Sequence, residues 1–129
     1  MTVQPEDINV VSEVNCKNSP KKELLCDLNS SVVKQQLEEP LNWLEEEIEW
    51  EIVEDETVQG LRAVEEKLQT FLNIPIQEFH IDHIITHGKT AALNGNGEVI
   101  ELCHIYLFKG HKKTAKIKEM ISYIIETNK

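Results

Sequence analysis

The sequence predicts an α+β fold in which helices cover one face of a mostly antiparallel sheet. Three observations carry this. Apolar residues recur at helical spacing early in the 129-residue chain and again over 61–72. From Glu47 the apolar period changes to two. The last third is a series of β-branched and aromatic segments punctuated by strong turn signals.

Residues 1–19 are polar, lack a sustained period and lead into Asn18-Ser19-Pro20, so a flexible N-terminal arm is expected there, followed by a single domain over 20–129. Ser19 suits an N-cap and Pro20 a first helical residue. Leu24, Leu25, Leu28 and Val32 then mark a helix to about Lys34. Leu37, Leu41 and Leu44 suggest a short second helix, with Pro40 in its first turn.

Ile48, Trp50 and Ile52 alternate with Glu49 and Glu51, which is a half-buried strand with a charged outer face. Residues 55–60 read as the turn out of it. Ten acidic residues and no basic one lie between Glu38 and Glu56, and alternating glutamates point outward together without converging on a cation. Leu61, Val64, Leu68, Phe71 and Leu72 share one face of a third helix, ended by Asn73 and Pro75.

The remaining strands are expected at 76–86, 89–93, 98–109 and 116–126, with turns at His87-Gly88 and at Asn94-Gly95-Asn96-Gly97. In 99–108 and 117–125 both alternating faces are mainly apolar, whereas a sheet with one wet face alternates apolar with polar. Three short helices cover one face. The other, carrying Cys103, Ile105, Leu107, Ile121, Tyr123 and Ile125, is expected to meet a second copy across a two-fold axis.

Composition narrows the partners. Thirteen Lys and Arg against 23 Asp and Glu give a net charge of −10, which argues against nucleic acid and against an anionic membrane surface. No apolar run approaches the roughly 20 residues of a membrane span. Glu6 and Asp7 stand where a signal peptide would be apolar, so a cytoplasmic location is expected. Three cysteines without CxxC spacing suit reduced thiols. The lysines at 109, 112, 113, 116 and 118 read as a solvated loop.

Three sets of segments stand out: Trp50-Glu51-Ile52-Val53 followed by Gly60 opening a helix, Ile84-Ile85-Thr86-His87-Gly88-Lys89, and Cys103-His104-Ile105-Tyr106-Leu107-Phe108 followed by Lys116-Ile117-Lys118-Glu119-Met120. In these the sequence resembles the nuclear transport factor 2-like superfamily, which includes SnoaL-like polyketide cyclases and ketosteroid isomerases. The resemblance spans about 20–125. It implies a cone: a curved, mostly antiparallel sheet wrapping about three N-terminal helices around a pocket, with many members pairing through the outer sheet face. It also sets the position of the isomerases' pocket acid on His104 and that of their proton-shuttling Asp near Ile52, with no Tyr in the first helix. Steroid isomerisation is therefore not expected.

His104, Tyr106 and Phe108 share one strand face; Met120, Ser122 and Ile124 share a face of the next strand. The resemblance implies that both sets line the concave side, with Trp50 as a wall. Asp82 either points inward to orient a histidine or outward as a solvated strand residue. The spacing His80-x2-His83-x3-His87 resembles a metal-ligand pattern, but on a strand His80 and His83 point to opposite sides, so no metal site is expected. His87 reads as a turn residue tolerant of positive φ. Cys103 and His104 diverge as strand neighbours and do not form a nucleophile pair.

The expectation is a homodimer that binds a small, largely apolar molecule without a cofactor. As an enzyme it would carry out an isomerisation, dehydration or aldol-type cyclisation next to a carbonyl, with His104 moving or donating the proton and Tyr106 holding the oxygen. The rival is a non-catalytic interaction or scaffold protein whose cone is filled by its own side chains.

Overall fold

Pro20 opens helix α1 (Pro20–Val33) with its ring-fixed φ, and Leu25, Leu28, Asn29, Val32 and Val33 form the buried face. The computed structural model describes residues 4–12, 19–71, 76–112 and 114–127. Gln35, at φ 58°, turns the chain out of α1, and its amide Nε2 donates to the Leu68 carbonyl at 3.0 Å, tying the end of α1 to the next long helix. A short helix α2 (Glu38–Asn42) follows, with Pro40 buried in its first turn.

The sheet has seven strands. They are β1 (Asn9–Ser12), β2 (Leu44–Ile52), β3 (Thr57–Gln59), β4 (Glu78–His87), β5 (Thr90–Asn96), β6 (Ile100–Phe108) and β7 (Ile117–Glu126), with helix α3 (Leu61–Phe71) between β3 and β4. Their order in space is β1-β4-β5-β6-β7-β2-β3. Pairing is antiparallel except for β1 with β4 and β2 with β7, so the sheet is mixed. The two parallel pairs bring early segments of the chain onto either side of the late meander, which the linear order of elements does not reveal. Leu44, Ile48, Trp50 and Ile52 of β2 meet Val64 and Leu68 of α3 and Leu25 of α1 in one core.

Four expectations are corrected. The segment read as an arm outside the core contributes a 3₁₀ turn (Pro5–Asp7), the buried side chain of Ile8 and strand β1, in which Val10 pairs with Phe79. The part of that arm over 13–18 lies outside the described residues, as does the helix stop at Asn73 and Pro75. Within the expected turn at 55–60, β3 pairs Val58 with Trp50 and buries it.

Asn94, Gly95 and Asn96 belong to β5, and the chain reverses only after them, where the Gly97 amide donates to the Ile100 carbonyl at 2.9 Å. Gly95 answers to packing: a Cβ there would stand 2.7 Å from Phe79 Cζ and 2.8 Å from the His80 carbonyl. In the β4–β5 turn the positive φ falls on Gly88, at 58°, while His87 remains the last residue of β4.

Among the described residues, no helix is long and apolar enough to cross a membrane.

Candidate functional site: a buried row of polar side chains

Strand register builds the site. His104 of β6 stands opposite Ser122 of β7, and Ser122 stands opposite Ile52 of β2, two pairs along from Trp50 and Met120. Because side chains alternate, Trp50, Ser122 and His104 point into the same concave side from three neighbouring strands. All three are buried, with His104 7% exposed.

The hydrogen bonds run in one direction. The indole Nε1–H of Trp50 donates to Ser122 Oγ at 2.8 Å, and Ser122 Oγ lies 2.6 Å from His104 Nδ1. Indole is only a donor, so the serine oxygen accepts there, and because Ser122 Oγ has no other acceptor for its own proton among the described residues, that proton is assigned to Nδ1. That fixes the neutral tautomer with its hydrogen on Nε2. Burial pushes the His104 pKa down to about 4, so the ring is neutral at physiological pH.

Tyr106 makes the second half of the site. Its hydroxyl accepts from Asn29 Nδ2 of α1 at 2.9 Å, and the same amide nitrogen donates to the Leu25 carbonyl at 2.8 Å. Burial pushes the phenol pKa far up, with the Asn29 hydrogen bond opposing it, so the hydroxyl keeps its proton. The His104 and Tyr106 ring centroids are 5.9 Å apart. Phe71 at the end of α3 lies 5.9 Å from the His104 ring and 4.8 Å from the Trp50 ring, and it is only partly buried.

Among the described residues, His104 Nε2 has no hydrogen-bonding partner, and the Tyr106 hydroxyl is bonded only as an acceptor. The cluster therefore holds two neutral donors among aromatic rings. Two such donors can hold a carbonyl oxygen and stabilise negative charge that develops on it. No carboxylate among the described residues is hydrogen-bonded to either ring, and desolvation alone shifts His104.

The other residues singled out in the sequence divide. Phe108 and Met120 are buried on the same concave side. Ile124 is half-buried at its edge and pairs with Leu102. The Lys21 ammonium sits 4.7 Å from the Phe108 ring centroid and donates to the Gly88 carbonyl at 2.8 Å, closing that end of the cone.

Asp82 stands apart. It lies at a bulge between Ile81 and His83, and its carboxylate accepts from Asn96 Nδ2 at 2.6 Å, so the pocket role allowed for it is corrected. The same bulge puts His80 and His83 on one side, opposite Ile81 and Ile84, where strict alternation would have separated them. His80 Nε2 meets Glu78 Oε1 at 2.5 Å and His83 Nδ1 meets Asn94 Oδ1 at 3.0 Å. Among the described residues, no group of three His, Cys, Asp or Glu is placed to hold a metal ion.

Asn29 was not singled out in the sequence. Its signal is a polar residue one position beyond Leu28 on the buried face of α1, where an amide needs a partner across the core. Phe71 was read only as a core position of α3.

No family profile and no curated protein matches the chain in sequence. Solved structures do match in fold. An NTF2-like protein of unknown function from Burkholderia xenovorans superposes with a TM-score of 0.70 at 10% identity, over 89% of this chain and 90% of that one. SalBIII, an epoxide hydrolase/cyclase-like enzyme of pyran-ring formation in salinomycin, gives 0.68 at 13% identity, over 86% and 95%. A de novo designed protein with a curved β-sheet gives 0.69 at 11% identity, over 84% and 88%. Other matches are named for SnoaL-like polyketide cyclases and for ketosteroid isomerase. The chain thus has the curved-sheet α+β cone fold of the NTF2-like proteins. An enzyme and a designed protein match it equally well, so the fold by itself assigns no reaction.

Proposed function

We propose, from this fold and the donor pair at its centre, that the protein is a homodimeric binder of a small, largely apolar carbonyl compound. In this reading His104 Nε2–H and the Tyr106 hydroxyl grip the carbonyl oxygen, and Trp50, Phe71, Phe108 and Met120 surround the apolar body. The Trp50–Ser122–His104 relay carries the reading, because it dedicates one ring nitrogen to the protein and leaves the other as a fixed donor. A ring with its pKa at about 4 is a weak base and a steady neutral donor.

In the enzymatic form, the pair stabilises negative charge on the carbonyl oxygen during an isomerisation, dehydration or cyclisation without a cofactor, while the carbon-bound proton passes to a base carried by the substrate or to water. In this reading the proton-transfer role allowed for His104 gives way to hydrogen-bond donation by the neutral ring. Names given to similar structures, among them an epoxide hydrolase/cyclase-like enzyme, support a small-molecule role. The dimer reading rests on the apolar outer face of β4, β6 and β7, where Ile85, Tyr123 and Ile125 are exposed.

A second reading has its own observation: Trp50, Tyr106 and Phe108 are each about 1% exposed, as in a cone filled by its own side chains. Native mass spectrometry of freshly purified protein separates the two. The binding reading expects a co-purified molecule that is lost in His104→Ala and Tyr106→Phe while each variant still folds. Empty wild-type protein, together with a large drop in melting temperature for His104→Ala, supports the filled cone instead.

A further inference from the structure

We propose that a cleft outside the cone, between α1, α2 and the loop joining β6 to β7, binds a small organic ammonium ion. The cleft has a volume of about 370 Å³, within the ~300–1,000 Å³ range of small-ligand sites. It lies on the side of α1 away from Asn29, whose amide bonds the Tyr106 hydroxyl.

Its floor is apolar. Leu28 and Pro40 are buried, while Leu24 and Trp43 are half-buried and border the cleft. Trp43 is held at the junction of α2 and β7: its amide donates to the Pro40 carbonyl at 3.1 Å, and its carbonyl accepts from the Ile117 amide at 2.9 Å. The backbone that carries the indole is therefore fixed at the edge of the cleft.

Its rim is acidic. Glu23 and Asp27 lie one turn apart on α1, and Glu39 faces them from α2. All three are exposed, and among the described residues none of them makes an ion pair. Among the described residues, no basic side chain lines the cleft.

These features select an occupant by chemistry. An anion meets three carboxylates on a chain of net charge −10 and is repelled. A bare divalent ion needs converging ligands, and the described acidic residues form no such group. A neutral apolar molecule uses the floor and gains nothing from the rim. An alkyl- or arylammonium ion uses both, placing its body on Leu24, Leu28 and Pro40 and its charge between the carboxylates and the Trp43 ring.

The test is calorimetric titration with phenethylammonium, its neutral isostere 2-phenylethanol and its anionic counterpart 3-phenylpropionate, with backbone amide NMR shifts to locate binding. Phenethylammonium is expected to bind saturably at millimolar concentration, about ten-fold more tightly than the alcohol and more weakly as salt rises, with the propionate not binding. Asp27→Asn combined with Glu39→Gln, both surface changes that leave the melting temperature in place, is expected to erase the preference for the cation. His104→Ala is expected to leave it intact. Absence of saturable binding overturns the proposal. So does equal affinity for the alcohol, an undiminished preference in the double variant, or shifts centred on β6 and β7 instead of α1 and α2.

Discussion

Ser122 Oγ and His104 Nδ1 face each other at 2.6 Å across a directly opposed pair of residues on β6 and β7. The serine also takes the indole hydrogen of Trp50, so a single buried hydroxyl satisfies a donor on one neighbouring strand and an acceptor on the other. Chemistry and stability meet in this hydroxyl: the bond that fixes the tautomer of His104 also ties β2 to β6 through β7.

Ser122→Ala is accordingly expected to destabilise the fold by about 2 to 6 kcal/mol, since an orphaned donor and an orphaned acceptor each cost about 1–3 kcal/mol in a buried site. Urea unfolding measures this. A loss under about 0.5 kcal/mol, the size of an ordinary surface substitution, would show that the relay contributes nothing to the fold.

His104 also makes stability depend on pH. Its folded pKa of about 4 lies below the ordinary 6.5, so between these values the unfolded chain binds a proton that the folded chain does not. The stabilisation is complete above pH 6.5 and is lost as pH falls towards 4, amounting to on the order of 3 kcal/mol. Comparing wild type with His104→Gln isolates this contribution: the difference in unfolding free energy should change in that window and be flat above it. Parallel curves would place the imidazole in contact with solvent.

The row of inward side chains was legible in the sequence because β6 alternates throughout and β7 alternates from Met120 onward, past the register shift next to Ile117. His104, Tyr106 and Phe108, then Met120 and Ser122, lie where period two puts them. The same rule failed at Asp82, where one bulged residue in β4 reverses the side that follows. It failed for Gly95 too, since a glycine required by the overlying Phe79 ring looks the same in sequence as one required by a turn. Strands β1 and β3, of four and three residues, carry too few positions for any period to register, and β1 joins β4 through a parallel pairing between distant segments. Asn29 could be placed on the buried side of α1, but its bond to Tyr106 depends on how that helix sits over the sheet.

Strand β1 changes what truncation should do. Ile8 is 8% exposed, and Asn9 Nδ2 donates to Glu78 Oε2 at 3.2 Å, so removing residues 1–12 strips a core side chain and uncovers the edge of β4. Burying one such aliphatic side chain is worth about 1.5–3 kcal/mol. The truncated protein is expected to melt several degrees lower, and Ile8→Ala should reproduce much of the loss. An unchanged melting temperature would show that this segment does not dock on the sheet.

The outer sheet face yields the last prediction. Ile85, Tyr123 and Ile125 are 67%, 48% and 64% exposed, and half-buried Ile105, Leu107 and Ile121 continue the same surface across β6 and β7. Glu101 and Glu119, opposite Ile125 and Leu107, set acidic residues at its two ends. An apolar centre between charged margins is the layout of an interface, and a sheet face turned about a two-fold axis is complementary to itself. A stable pairing here would bury on the order of 2,000 Å² in total. Light scattering is expected to give twice the chain mass at micromolar concentration. Ile105→Arg, which puts two like charges near the axis, is expected to give monomer or to lower solubility, while Glu101→Gln should leave the mass unchanged. A monomeric wild type, or a dimer indifferent to Ile105→Arg, would mean that the outer face stays open to solvent or meets something other than a second copy.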